Sequence, residues 1–340
     1  MKRVALIGLG FMGKMHLSVY MKLREAEVSA ICDVNEEALD IESLEAGGNI
    51  DTGSEKVDLS GVRKYKDYEK MLKDGGFDIV DICLPTYLHA DVAIKAMEAG
   101  YHVFCEKPLA NRLEDAERIV AKVEETGKFF SVGQCLRYWP AYTEIKRLID
   151  SGDYGRVRYA EFARFSTTPT WTWNNWILNG NLSGNAALDL HIHDVDMILY
   201  LFGFPEAVHS RGVVEKDGSI SQISTIYRYP DLVVTSSGGW ICSDSFGFNM
   251  RALYILAKAT IELDFSKNPV VMVYPQGKEK YALPLPEGDG YYYELKDFIS
   301  GIEQGKLSGV VTPRSAADSV KMCLAEIDSA LNEREVGGFK

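Results

Sequence analysis

No apolar run in this sequence approaches the length of a membrane span. The one start that resembles a signal peptide, Met1-Lys2-Arg3 and the apolar residues after it, is broken by Gly8, Gly10, Gly13, Lys14 and His16. Cysteine is sparse and unpaired in spacing: Cys32, Cys83, Cys105, Cys135, Cys242 and Cys323. That pattern fits neither a disulfide framework nor a zinc site and suits reduced thiols in a cytoplasmic protein, the expected location. Positive charge is in deficit, with 37 Lys and Arg against 49 Asp and Glu and a formal net charge of -12. Such a surface repels phosphate backbones and anionic lipid, so neither nucleic acid nor membrane is an expected partner. Repeats and low-complexity tracts are also missing.

What is present is a globular mixture, 46% hydrophobic and 25% charged, which argues against disorder. A length of 340 residues suits about two domains. Residues 4–7, 28–32, 78–84, 103–105 and 129–132 are short, apolar and β-branched, the signature of buried strands. Helical patterns fill the intervals, clearest over 88–99 and 113–126, each followed by a glycine (Gly100, Gly127) suited to a left-handed cap. Alternation of this kind predicts a parallel, doubly wound sheet.

The pattern changes near Trp139-Pro140. A helix to about 149, a strand over 156–165, an uncharged aromatic stretch over 170–182 and a helix over 189–202 come next. From 206 to 283 strands succeed one another, separated by turn signals at 216–219, 229–231 and 268–269. These predict an α+β second domain with a large, mostly antiparallel sheet. Thr312-Pro313 reads as a cap and first turn of a last helix to about 332. The expected division is 1–134, 135–312 and a C-terminal helix and tail, 313–340, returning toward the first domain.

Gly8-Leu-Gly10-Phe11-Met12-Gly13 lies between a predicted strand and a predicted helix. Glycine spacing alone is a weak signal; strand-turn-helix context makes it a dinucleotide fingerprint. Gly8 permits the turn, Gly10 the close approach of a pyrophosphate, and Gly13 the packing of helix on strand. The helix N-terminus offers free N–H groups to the phosphates. Asp33, about twenty residues on, can accept both ribose hydroxyls of an adenosine, and Val34 and Asn35 supply no cation for a 2'-phosphate. NAD is therefore expected over NADP. Methyltransferases also place an acid at the end of the second strand, so the residues beyond it must decide between the two.

Those residues are Cys105-Glu106-Lys107-Pro108, then Val132-Gly-Gln134, Arg137-Tyr138, and Ser183-Gly-Asn-Ala-Ala-Leu-Asp189-Leu-His-Ile-His193-Asp-Val-Asp196. With the fingerprint and the Thr312-Pro313 helix, this order resembles the glucose–fructose oxidoreductase/inositol dehydrogenase (Gfo/Idh/MocA) family over essentially the whole chain. The resemblance implies a Rossmann domain, a C-terminal domain with an open sheet, and a homodimer or homotetramer formed through that sheet. It implies hydride transfer between nicotinamide and a secondary hydroxyl or keto group of a sugar, cyclitol or sugar derivative.

Lys107 stands just past a strand end, where open α/β sheets place their ligands. Beside a positive nicotinamide ring its ammonium is expected to lose its proton more readily. Asp189 and His193, four apart on a predicted helix, would share one face. By resemblance the aspartate orients substrate, and His193 is taken as base with Lys107 assisting, the three converging over the reactive nicotinamide carbon. The histidines and acids of 189–196 also invite a metal reading; continuing helical spacing and the different faces of His191 and His193 argue for no metal. Family positions further suggest Leu84, Pro85, Thr86 and His89 on the nicotinamide side, Glu106 on its ribose and Gln134 at the ring. Arg137 and Tyr138 would reach substrate hydroxyls. Trp171, Trp173 and Trp176 could stack on a sugar face, with Asn174 or Asn175 reading hydroxyls, although packing explains any one tryptophan equally well. The chain departs from the family's glycine run at Asn185-Ala186, which would narrow or redirect the pocket. A non-catalytic dinucleotide-bound regulator, a dihydrodiol- or biliverdin-type reduction, and a redox-assisted elimination remain alternatives.

Overall fold

The computed structural model describes residues 1–41, 44 and 57–339. The chain forms two compact units, one of Met1–Cys135, Thr170–Ile177 and Tyr291–Val320, the other of Leu136–Pro169, Leu178–Gly290 and Lys321–Lys340. Residues 291–312, assigned to the second domain from sequence, thus pack with the first unit, as does the aromatic segment 170–177.

In the first unit, β1 (Lys2–Ile7), α1 (Phe11–Lys22), β2 (Ala26–Cys32), α2 (Glu36–Leu39), β3 (Arg63–Tyr65), α3 (Tyr68–Asp74) and β4 (Ile79–Ile82) are followed by α4 (His89–Glu98), β5 (His102–Cys105), α5 (Leu113–Thr126) and β6 (Phe130–Val132). The strands are parallel in the order β3-β2-β1-β4-β5-β6, the doubly wound arrangement whose carboxyl edge binds dinucleotides. β1 is buried from Val4 to Ile7 and β4 throughout, hence their apolar character, interrupted in β4 by Asp81. α5 ends at Gly127, whose φ of 63° is the left-handed cap expected there.

The second unit opens with α6 (Pro140–Ser151) and β7 (Val157–Thr167), continues through α7 (Gly180–Ser183), α8 (Asn185–Asp189) and α9 (Ile192–Phe202), and then runs β8 (Ala207–Val214), β9 (Ile220–Arg228), β10 (Val233–Cys242), β11 (Phe248–Leu256), β12 (Ala259–Asp264), β13 (Val271–Pro275) and β14 (Tyr281–Ala282). Beyond these lie α10 (Gly290–Gln304), α11 (Pro313–Asn332) and β15 (Val336–Gly337). α11 begins at the expected proline, and Arg314 in its first turn forms a bidentate pair with Glu117 of α5 in the first unit. The sheet order is β14-β13-β12-β11-β7-β10-β9-β8-β15, antiparallel except where β10 runs parallel to β7. One face is core: Phe162, Ile223, Tyr227, Val234 and Tyr254 are all buried. The other carries Tyr159, Ile226, Val233, Leu253 and Ile255 across four adjacent strands in register. Ile226 and Val233 there are 57% and 51% exposed.

Candidate active site

The turn after β1 shows why three glycines are needed. Gly8 has φ +90°, and a Cβ on it would lie 2.4 Å from the Cys83 carbonyl oxygen. A Cβ on Gly13 would meet the Gly8 carbonyl oxygen at 1.9 Å, so α1 can lie this close to the turn only with glycine there. Gly10 differs: nothing stands within 4 Å of the Cβ position, and no side chain caps the N-terminus of α1. An uncapped helix N-terminus beside a glycine with open space above it is what a pyrophosphate requires. Phe11 and Met12, half-buried, form the first turn. Asp33, just past β2, accepts the Leu9 N–H on Oδ2 and the Asn35 N–H on Oδ1, both at 2.8 Å. It thus fixes the glycine turn and keeps lone pairs for a ribose. Val34 is exposed.

At the carboxyl edge, Leu84, Pro85 and Thr86 follow β4, and Gln134 follows β6. Thr86 is buried with Oγ1 unbonded, and Gln134 is buried with neither Oε1 nor Nε2 bonded. Leaving such groups unpaired costs about 1–3 kcal/mol each, and proteins seldom tolerate it. A polar ligand at this edge would relieve both. The glycine turn, Asp33, Thr86 and Gln134 therefore fit a dinucleotide.

Two residues expected at the cofactor have protein partners of their own. His89 is buried, with Nδ1 2.8 Å from the Pro108 carbonyl and Nε2 2.8 Å from the Leu84 carbonyl. Its ring nitrogens are turned to main-chain carbonyls of the loops after β4 and β5. Glu106 is also turned inward: Oε1 meets His16 Nε2 at 3.0 Å and Oε2 accepts the Lys107 N–H at 3.0 Å. Lys107 itself is half-buried, ahead of a cis Pro108.

Beneath this edge lies a buried charge cluster that the motifs did not single out. His16 Nδ1 stands 2.8 Å from Asp81 Oδ2, which also accepts the Tyr20 hydroxyl at 2.8 Å. Burial opposes a charged ring, but Asp81 outweighs it and holds His16 well above the usual imidazole range. Burial likewise pushes the Cys83 and Cys105 thiols up, so neither is reactive. The available signal was Asp81, an acid in the middle of the buried run Ile79-Val80-Asp81-Ile82.

In the second unit the expected single helix over 189–202 is broken. Asp189 ends α8 and His193 is the second residue of α9. Between them the Leu190 and His191 N–H groups both donate to the Ala186 carbonyl, the latter an i→i−5 bond. This one-residue widening, a π-type turn of the kind frequent at functional sites, resets the angle between Asp189 and His193. The junction is held by His191, whose Nε2 lies 2.7 Å from Glu326 Oε2 with both side chains fully buried. Asp194 forms a bidentate pair with Arg164 of β7. Asp196 does the same with Arg137, both bonds 2.7 Å, while Tyr200 covers the guanidinium at 4.5 Å. Arg137 therefore anchors α9. Tyr138 beside it is half-buried. His191, Asp194 and Asp196 thus each have a separate partner.

The Asn185 departure has a local reason. Gly184 and Asn185 are successive left-handed residues, φ 76° and 56°, a conformation asparagine tolerates better than most. Asn185 Oδ1 accepts the Ala186 N–H and Nδ2 donates to Ser219, so this side chain is spent on the turn. In the 170–177 segment Trp171 and Trp173 are exposed, Trp176 is half-buried, and Asn174 and Asn175 have φ near +50°.

A doubly wound sheet with an open glycine turn, an acid ending β2 and unsatisfied polar groups at its carboxyl edge defines a dinucleotide-dependent oxidoreductase. The chain belongs to the GFO/IDH/MocA oxidoreductase family: residues 2–134 match its NAD-binding Rossmann domain and residues 142–255 its C-terminal domain. It is 27% identical over 334 residues to the myo-inositol 2-dehydrogenase of Thermotoga maritima, across 95% of this chain and 93% of that one. It is 29% identical over 286 residues to the scyllo-inositol 2-dehydrogenase (NAD(+)) of Bacillus subtilis, covering 80% of this chain and 81% of that protein. The fold matches a levoglucosan dehydrogenase solved with NADH and levoglucosan, with a TM-score of 0.82 at 21% identity and 99% of each chain covered. No described helix is long and apolar enough to cross a membrane.

Proposed function

We propose that this chain is an NAD-preferring dehydrogenase of a sugar, cyclitol or sugar derivative, acting on a secondary hydroxyl or its ketone. The observation that carries the reading is the buried, unsatisfied Gln134 amide at the carboxyl edge of a sheet whose glycine turn stands open. The sugar or cyclitol class is supported by the inositol and levoglucosan dehydrogenases it resembles. Gly8, Gly10, Gly13 and Asp33 would hold the adenosine and phosphates, with Leu84, Pro85, Thr86 and Gln134 toward the nicotinamide. When bound, the dinucleotide supplies the acceptor or donor of hydride. His193 takes or returns the hydroxyl proton on its imidazole, Lys107 assists through Nζ, and the Asp189 carboxylate orients substrate. Tyr138 and the Trp171–Trp176 segment are assigned to substrate. The exposed face bearing Ile226, Val233 and Ile255 supports self-association as a dimer or tetramer.

The deciding experiment monitors reduced-nicotinamide absorbance with NAD against inositols, aldoses and their derivatives. Turnover of at least one establishes the class; a thermal shift with NAD but no turnover of any leaves a binding protein.

Asp33 makes a separate prediction. At equal concentration NAD(H) should raise Tm more than NADP(H), because a carboxylate already holding the Leu9 and Asn35 N–H groups cannot swing away from a 2'-phosphate. Equal or reversed shifts would remove the preference for NAD.

A further inference from the structure

We infer that His16 is a positioning residue for Lys107, a buried imidazolium that grips Glu106 and so fixes the main chain on which the lysine is mounted. The inference rests on the role given to Lys107 above. Its chemistry is simple. A neutral imidazole has one N–H, yet both His16 nitrogens face carboxylate oxygens, Asp81 at 2.8 Å and Glu106 at 3.0 Å. Ionised carboxylates only accept, so the ring satisfies two of them only when each nitrogen carries a proton. His16 and Asp81 are fully buried and Glu106 nearly so, which shields the arrangement from bulk solvent.

The groups around the ring come from every element packed on it: Tyr20 of α1, Asp81 of β4 and Cys83 after it, Glu106 after β5, and Glu294 of α10. Polar atoms of His16, Glu106 and Glu294 lie within 4.8 Å of one another. Ionised carboxylates gathered this closely away from solvent favour a cation between them, and the imidazolium supplies one.

The grip reaches Lys107 directly. The Glu106 oxygen not used by His16 accepts the Lys107 N–H. Gly133, at the end of β6, leaves the slot for this carboxylate, since a Cβ there would lie 2.7 Å from Oε1. His16 also belongs to α1, about one and a half turns beyond Phe11. One rigid helix therefore links the glycine turn to the Lys107 turn.

The test uses the full-length protein without added dinucleotide. Histidine ring ¹⁵N resonances should show His16 with both nitrogens protonated at neutral pH and above. In Glu106→Gln, where one carboxylate becomes an amide, the ring should lose its second proton at least about one pH unit lower. Amide exchange over 104–110 should accelerate about 10-fold in that variant, while exchange in α5 stays as it was. The His16 resonance is assigned in His16→Gln or, if that chain does not fold, by replacing the other histidines one at a time. A neutral His16 at pH 7 in the unmodified protein overturns the inference. So does acceleration spread evenly over the molecule, which would mark a purely structural role. In turnover, Glu106→Gln should lower kcat about 10- to 100-fold with the KM for dinucleotide little changed. If Lys107→Ala leaves turnover intact, the assignment of Lys107 fails while the resonance and exchange results still report on the His16 grip.

Discussion

Lys107→Ala should lower turnover by at least ~100-fold and leave dinucleotide affinity nearly unchanged, and His193→Ala should do the same. The separation reflects where binding is built. Phosphate and adenosine recognition lies in the Gly8–Gly13 turn and Asp33, which hold their shape through backbone packing and the Leu9 and Asn35 N–H groups. Neither replacement touches those contacts. What each removes is a group that handles the proton while hydride moves, so the loss should fall on kcat. If the two residues serve one proton-transfer step, the double variant should lose little more than the worse single one. Nicotinamide fluorescence gives the affinity and steady-state kinetics the turnover. Full activity in both single variants would sink the proton-relay reading; loss of binding in step with turnover would move Lys107 into the cofactor site proper.

The parts of this molecule legible in sequence were those decided by neighbours along the chain. Buried parallel strands announce themselves as apolar runs, and the glycine turn by local sterics, so the first sheet could be placed element by element. β3 escaped because Arg63-Lys64-Tyr65 is three residues of polar edge strand with no apolar signal. The α8–α9 break escaped because no glycine or proline marks it, and the Glu326 partner of His191 at that junction lies 135 residues away in sequence. The same distance effect hid the protein partners of three site residues. Arg137, Glu106 and His89 have the right chemistry for substrate or cofactor, and the partners that claim them, Asp196, His16 and the Leu84 and Pro108 carbonyls, become visible only in three dimensions. Thr86 and Gln134, by contrast, stand unclaimed at the edge where a ligand was expected.

Asp194→Ala should cost about 3–5 kcal/mol of stability. Asp194 and Arg164 are 1% and 3% exposed and share two hydrogen bonds of 2.9 and 3.0 Å. Removing the carboxylate takes two charge-assisted hydrogen bonds from a buried guanidinium whose neighbours also include Met250 Sδ at 3.2 Å and the Tyr142 hydroxyl at 3.5 Å. The loss belongs to the buried cation left behind and not to the pair as such. Replacing both partners with apolar residues of similar volume, Arg164→Met with Asp194→Leu, should therefore recover most of the stability lost in the single variant. The consequence for function differs between the two. Arg164 bolts the first turn of α9 to the centre of the sheet, one residue from His193, and the apolar pair packs without fixing that turn's angle. The double variant should accordingly melt near the parent temperature yet turn over more slowly, the opposite of what simple destabilisation would produce. Calorimetry and kinetics on the two variants decide it: a double variant no more stable than Asp194→Ala refutes the charge argument, and one with full activity refutes the link to His193.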